Sequence, residues 1–141
     1  MATIAIVTSS NFDFGAANVD SEGTAPPGSD FAEFVESLLL AHGAKRLGTA
    51  VPGEGGWTFD VGIGDRQFRV FVHWAPIGVP PADRWVIQSD ICKPLLRSLF
   101  GRKTADHEIE PIVRELRRVL DDATRIEEVV WVSKEDFASM Y

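Results

Sequence analysis

The stretch Trp57-Thr58-Phe59-Asp60-Val61-Gly62-Ile63-Gly64-Asp65-Arg66-Gln67-Phe68-Arg69-Val70-Phe71-Val72-His73-Trp74 decides the fold. Trp57, Phe59, Val61 and Ile63 alternate with Thr58, Asp60 and Gly62. After Gly64-Asp65 the alternation resumes, with Arg66, Phe68, Val70 and Val72 set against Gln67, Arg69, Phe71 and His73. A period of two marks a strand with one buried side. Glycine at the first of two central turn positions suits type II′, whose twist matches a pair of antiparallel strands. That turn predicts a register: Ile63 opposite Arg66, Val61 opposite Phe68, Phe59 opposite Val70 and Trp57 opposite Val72. On the reverse face it sets Asp60 against Arg69, a cross-strand pair of opposite charge. A slip of one residue would scatter the apolar set over both faces, so pattern and turn select the same pairing.

Upstream, the β-branched run at residues 4–8 predicts a first strand. Residues 9–28 are small and polar, with Phe12, Phe14 and Val19 as core candidates, and read as a long loop. Loops of about twenty residues are functional or disordered. A helix begins at Ser29-Asp30, where Asp30 and Glu33 have capping-box spacing. Phe31, Phe34, Val35, Leu38, Leu39 and His42 fall on one helical face, Glu33, Glu36 and Ser37 on the other, and Gly43 ends the helix. Residues 45–51 form a strand, closed by the turn region Pro52-Gly53-Glu54-Gly55-Gly56.

Downstream of the hairpin, the proline-rich residues 75–83 read as a loop and residues 84–89 as a strand. Asp90 is placed to cap a short helix through Leu95, Leu96, Leu99 and Phe100, ended by Gly101. The longest helix starts at Asp106 or Glu110 and buries Ile109, Ile112, Val113, Leu116, Val119 and Leu120. Glu110 with Arg114, and Glu115 with Arg118, make pairs along its solvated side. A final strand at residues 126–133 and one helical turn in the tail complete the order β-α-β-β-β-β-α-α-β. Strands joined by tight turns imply a mainly antiparallel sheet, so the expected fold class is α+β, a two-layer sandwich with helices on one face. Its 141 residues fit one domain, 1–141.

Asp and Glu number 21 against 14 Lys and Arg, a formal charge of -7, which argues against nucleic acid because phosphate binding needs a basic face. The one local basic excess, Arg97, Arg102 and Lys103, flanks a predicted helix end. Negative charge suits solubility and steers the chain toward basic partners. Cys92 is the single cysteine, so no intrachain disulfide can form, as fits a reducing compartment. The apolar run at the N-terminus lacks a basic flank and is too short for a signal peptide or a membrane span. These features set the expectation of a cytoplasmic protein that does not bind membranes.

Motifs for chemistry are sparse, and no catalytic, cofactor-binding or metal-ligating residue is assigned. The glycines at 53, 55 and 56 lack the Gly-Lys-Ser/Thr ending of a phosphate loop and precede a strand, so they read as a hairpin or bulge turn. His107, Glu108 and Glu110 do not share one helical face. Cys92, beside Lys93 near a predicted helix start, has a setting that lowers thiol pKa, although a buried inert thiol is the simpler reading. His73 closes the hairpin on its polar side. With Asp60, Arg69 and Phe71 it forms a candidate binding surface, unless residues 75–83 or the N-terminal loop cover Phe71.

Trp57-Thr58-Phe59-Asp60-Val61, Phe68-Arg69-Val70, Trp85-Val86-Ile87-Gln88, Leu99-Phe100-Gly101-Arg102 and Val129-Val130-Trp131 together resemble small proteobacterial proteins of unknown role. Some of these are similar to immunity proteins that neutralise secreted toxins. The resemblance spans about residues 31–132 and rests on strand-and-turn patterns, so it assigns no functional residue. The charge, the absence of catalytic constellations and the candidate surface around Phe71 and His73 set the expectation of a non-catalytic domain of immunity or adaptor type, holding a protein partner through an acidic and aromatic surface. Two other readings stand beside it: a secretion-chaperone-like homodimer, and a small enzyme or ligand binder with a pocket between sheet and helices.

Overall fold

A computed structural model describes residues 2–10, 12, 27–53, 55–92 and 105–140. Strands β4 (Gly56–Ile63) and β5 (Arg66–Ile77) pair in the register set by the turn: Ile63 faces Arg66, Val61 faces Phe68, Phe59 faces Val70 and Trp57 faces Val72. Gly64 has φ +61° and no described non-glycine residue has positive φ, as a type II′ turn requires. Strand β6 (Ala82–Ile91) continues the meander beside β5. Strand β1 (Ile4–Thr8) lies between β6 and the last strand, β7 (Glu128–Val132), antiparallel to both. Two short strands, β2 (Lys45–Arg46) and β3 (Val51–Gly53), share the outer edge of β4. The seven-stranded sheet runs β2-β4-β5-β6-β1-β7, with β3 on β4, and the protein is an α+β fold.

One face of the sheet carries the main core. Ala5, Val7, Phe59, Val61, Phe68, Val70, Val72, Trp85 and Ile87 point to it. Over them lie α1 (Ser29–Ala41), through Phe31, Val35 and Leu39, and α2 (Glu110–Asp121), through Ile112, Val113, Leu116, Val119 and Leu120. A 3-10 turn at Asp106–Ile109 leads into α2 and buries Ile109. Both helices are amphipathic at the spacing of one face, so each buries its apolar stripe on the sheet and leaves charges outside. The predicted pairs form on that solvated side, Glu110 with Arg114 at 2.8 Å and Glu115 with Arg118 at 2.9 Å. The far face is smaller in its apolar content. Ile4, Ile6, Ala75, Val86 and Val132 cluster there beneath Phe137 of the terminal helical turn α3 (Lys134–Ala138).

Several expectations need correction. The strand expected at 45–51 is two short strands, because after the Leu47 amide bonds the Asp60 carbonyl the chain leaves the edge of β4 at Gly48, Thr49 and Ala50 before Val51 returns to it. The loop expected at 75–83 shrinks: β5 runs on through Ile77 and β6 begins at Ala82, with Pro76 paired to Asp83. Asp90 is a strand residue opposite Arg69, not a helix cap. The remainder of the helix expected there, with Leu95, Leu96, Leu99, Phe100 and Gly101, lies outside the described residues, as do most of loop 9–28 and the basic group Arg97, Arg102 and Lys103. The capping box at Asp30 and Glu33 is replaced by Gly28 as N-cap, while Asp30 accepts a hydrogen bond from the Phe31 amide at 2.8 Å. The helix ends as expected at Gly43, where the Ala44 amide reaches back to the Leu39 carbonyl at 3.1 Å.

Among the described residues of loop 9–28, Phe12 joins the core. Its ring meets Phe31 and Phe34, each 5.0 Å away between centroids, and the Arg125 guanidinium lies 4.4 Å over it. Phe31 in turn stacks on Trp85 at 4.9 Å and 13°. Gly28 brings the chain onto this stack with φ +116°, and a Cβ there would come within 2.9 Å of the Trp85 ring. Gly28→Ala therefore lowers stability by about 1–3 kcal/mol, through strain and clash together. Gly53→Ala, where a Cβ meets nothing within 4 Å, changes it by less than about 0.5 kcal/mol. Urea titrations of the two variants check the contrast.

Candidate functional site

The four residues singled out from the sequence stand together on the far face of β4 and β5. Alternation along β5 sends Arg69, Phe71 and His73 away from α1 and α2, and the hairpin register places Asp60 opposite Arg69 and Thr58 opposite Phe71. Arg69 donates to Asp60 through Nε at 2.9 Å and through a terminal amine at 3.2 Å, a two-point pair. On the other side β6 adds Gln88 opposite Phe71 and Asp90 opposite Arg69. Phe71 stacks on His73 with centroids 4.8 Å apart and planes 19° apart. Phe137 of α3 closes one end of the row, edge-on to His73 at 6.3 Å. Arg69 is exposed and Phe71 and Asp60 are half-buried, and between them a shallow depression of about 460 Å³ is lined by Thr58, Arg69, Phe71, Gln88 and Asp90.

His73 owes its packing to a glycine. Gly56 is its partner on β4, and a Cβ at that position would run into the Val72 carbonyl and the Cβ of His73. The Gln88 amide nitrogen lies 3.1 Å from His73 Nε2. An amide nitrogen can only donate, so this contact suits a neutral imidazole that accepts at Nε2. Burial between strand neighbours holds the His73 pKa below its ordinary value, against a smaller opposing effect from the Trp74 backbone.

Cys92 follows β6 at the charged end of the same surface, its amide bonded to the Gln67 carbonyl at 3.1 Å. Burial, and next the negative charge of Asp60, push its thiol pKa up. A raised pKa suppresses thiolate, which agrees with the simpler reading of an inert thiol, and the helix start expected beside it lies outside the described residues. His42 is exposed and its Nδ1 lies 2.9 Å from the Leu38 carbonyl, a local contact at the helix end. Glu108, considered beside His107 as a ligand, accepts from the Ala105 amide at 2.8 Å. Among the described residues no group of three or more His, Cys, Asp and Glu is placed to share a metal ion, and no helix is long and apolar enough to cross a membrane. Gly53 faces Gly56 across β3 and β4, which makes the glycine-rich segment a hairpin connection.

Sequence reasoning missed two residues. Gln88 could have been found from the strand at 84–89 had its partner been known, since pairing with β5 fixes its face. Glu36 was assigned to the solvated side of α1, yet it is 4 % exposed. Its period was legible, but the approach of Arg46, the segment after it and Trp57 to that side of the helix was not. Comparison with protein families, with curated proteins and with solved structures found no match to this chain.

The depressed pKa of His73 has a consequence for stability. The unfolded chain takes up a proton near pH 6.5 while the native imidazole resists it, so stability is full above about pH 6.5 and falls as pH drops through the native value. Thermal unfolding between pH 7.5 and 5 shows this decline, and His73→Gln flattens it. An NMR titration of the His73 ring that gives a midpoint above that of an unstructured peptide would contradict the assignment.

Proposed function

We propose that this protein is a non-catalytic binding protein, of immunity or adaptor type, that works in the cytoplasm and holds a basic protein partner against the far face of its sheet. The observation that carries the reading is the Phe71–His73 stack beside the Asp60–Arg69 pair, on the face opposite α1 and α2, where the short α3 reaches only the His73 end. The half-buried Phe71 at the wall of a shallow depression provides the kind of anchor that dominates binding energy in protein interfaces. Charged groups at its border add selectivity and encounter rate more than affinity. The formal charge of -7 favours a partner of opposite sign by long-range attraction. The resemblance of the strand patterns to immunity-type proteins points the same way.

A face built on three hydrogen-bonded strands is rigid before it binds. Little side-chain freedom remains to be lost in an already stacked Phe71 and His73, so a partner meets a surface that is preorganised. That property separates the reading from a chaperone of unfolded segments, which needs self-association and a groove for extended chain.

Phe71→Ser tests the face, with Arg118→Ala on the solvated side of α2 as the comparison. A specific protein captured from the source lysate by the native chain and by Arg118→Ala, released with rising salt, and lost with Phe71→Ser is the expected result. Capture that is indifferent to Phe71→Ser removes the reading. A dimer in light scattering that Phe71→Ser breaks assigns the face to a second copy of this chain instead.

A further inference from the structure

The two edges of the sheet are built differently. At one edge β2 has two residues, Lys45 and Arg46, β3 has three, including Pro52, and between them the chain leaves β4. Shortness, cationic side chains and proline are features that keep a strand edge from recruiting another chain. The opposite edge has none of them. Strand β7 offers five residues in a row, Glu128-Val129-Val130-Trp131-Val132, four of them β-branched or aromatic. Among the described residues β7 pairs with β1 on one side and with no strand on the other. Val130, at its centre, is 43 % exposed. The outer backbone groups of β7 are therefore open to another strand, and its central side chains have apolar surface to cover.

The pattern of charge along β7 selects the occupant. A second copy aligned antiparallel, with the five residues in full overlap, sets Val130 against itself and Val129 against Trp131. Apolar side chains then meet at all three central positions, and cross-strand pairs of this kind stabilise a ladder. The strand's only charge, Glu128, stands at one end beside Glu127, and the exposed Lys134 follows the other end. Antiparallel alignment therefore separates the carboxylates of the two copies and carries each Glu128 to the diagonal position beside Lys134. Asp106, 3.5 Å from Lys134, holds that ammonium group at the end of the strand. A parallel copy would instead stack Glu127 and Glu128 on their own images. Identical chains most often associate with two-fold symmetry, because one patch then serves both partners.

We propose that β7 is a self-association edge, through which two copies of this chain join antiparallel into one continuous sheet. The two-fold axis of such a pair stands normal to the sheet, so the far faces of both copies lie on one side. The dimer thus presents two Phe71 surfaces together, which raises avidity for a partner with two sites. Self-association itself does not rest on that binding-face reading. Five residues a side form a small seam, so the dissociation constant is expected at about 10–100 μM.

Sedimentation velocity of the full chain from about 5 to about 500 μM is expected to show monomer passing into dimer. Amide hydrogen exchange at the two ends of that range is expected to slow within β7 and nowhere else in the sheet. Val130→Lys sets like charges face to face at the centre of the seam and weakens the dimer at least about ten-fold. Glu128→Lys lies at an exposed position, so it leaves the fold intact and keeps the test open should Val130→Lys fail to fold. It places like charges beside Lys134 and weakens the dimer about three-fold. The proposal is overturned by a chain that stays monomeric at about 500 μM, by a dimer that neither substitution weakens, or by one without slowed exchange in β7. Phe71→Ser leaves this dimer intact, and a dimer that it breaks belongs to the far face and overturns the edge pairing. Self-association reads β7 and partner capture reads Phe71, so the two proposals fail separately.

Discussion

A reverse turn two residues long, with its left-handed position filled by Gly64, holds β4 and β5 in one register, and the distribution of every side chain on those strands follows from it. Strand side chains alternate between faces, so a shift of one residue would exchange the two sets. In the register observed, Phe59, Val61, Phe68, Val70 and Val72 enter the main core, and Asp60, Arg69, Phe71 and His73 stand on the opposite side. Strand β6 reads its register from β5, and β1 and β7 from β6 in turn. The turn thus controls a surface that extends three strands from it.

The helix layer is tied to this sheet through aromatic rings. Trp85, fully buried on β6, carries the stacked ring of Phe31 from α1, and Phe12 packs edge-on against Phe31. The segment after β1 is held down by the same cluster: the Ser9 hydroxyl donates to the Arg125 carbonyl at 2.6 Å, and the Arg125 guanidinium covers Phe12 and Phe34. Large flat surfaces packed in offset and edge-on arrangements contribute more than their area alone, which makes this cluster the natural centre of the core.

Three titratable groups show how position overrides residue type. His73 is kept neutral by burial beside Phe71 and Gln88. Cys92 is made less reactive by burial and by Asp60. Glu36 is pushed toward its neutral form although Arg46 lies 3.5 Å away, because desolvation outweighs the ion pair. In each, the cost of placing charge in a poorly solvated site exceeds what nearby partners return.

From the sequence by itself came the α+β class, the hairpin and its register, the Asp60–Arg69 pair, the amphipathic faces of α1 and α2, and the shared side of Arg69, Phe71 and His73. All of these depend on periodicity and turn chemistry, which act over a few residues. Tertiary structure decided the rest. Whether β5 stops at Trp74 or runs to Ile77 depends on β6 pairing beyond it, since Pro76 looks like a loop signal until Asp83 stands opposite. Asp90 looks like a helix cap until Arg69 faces it. Glu36 looks solvated until Arg46 of β2, the segment that follows it and Trp57 of β4 come to lie beside that side of α1. Burial is a property of what lies on the far side of a side chain, and neighbours distant in the chain leave no mark in local pattern.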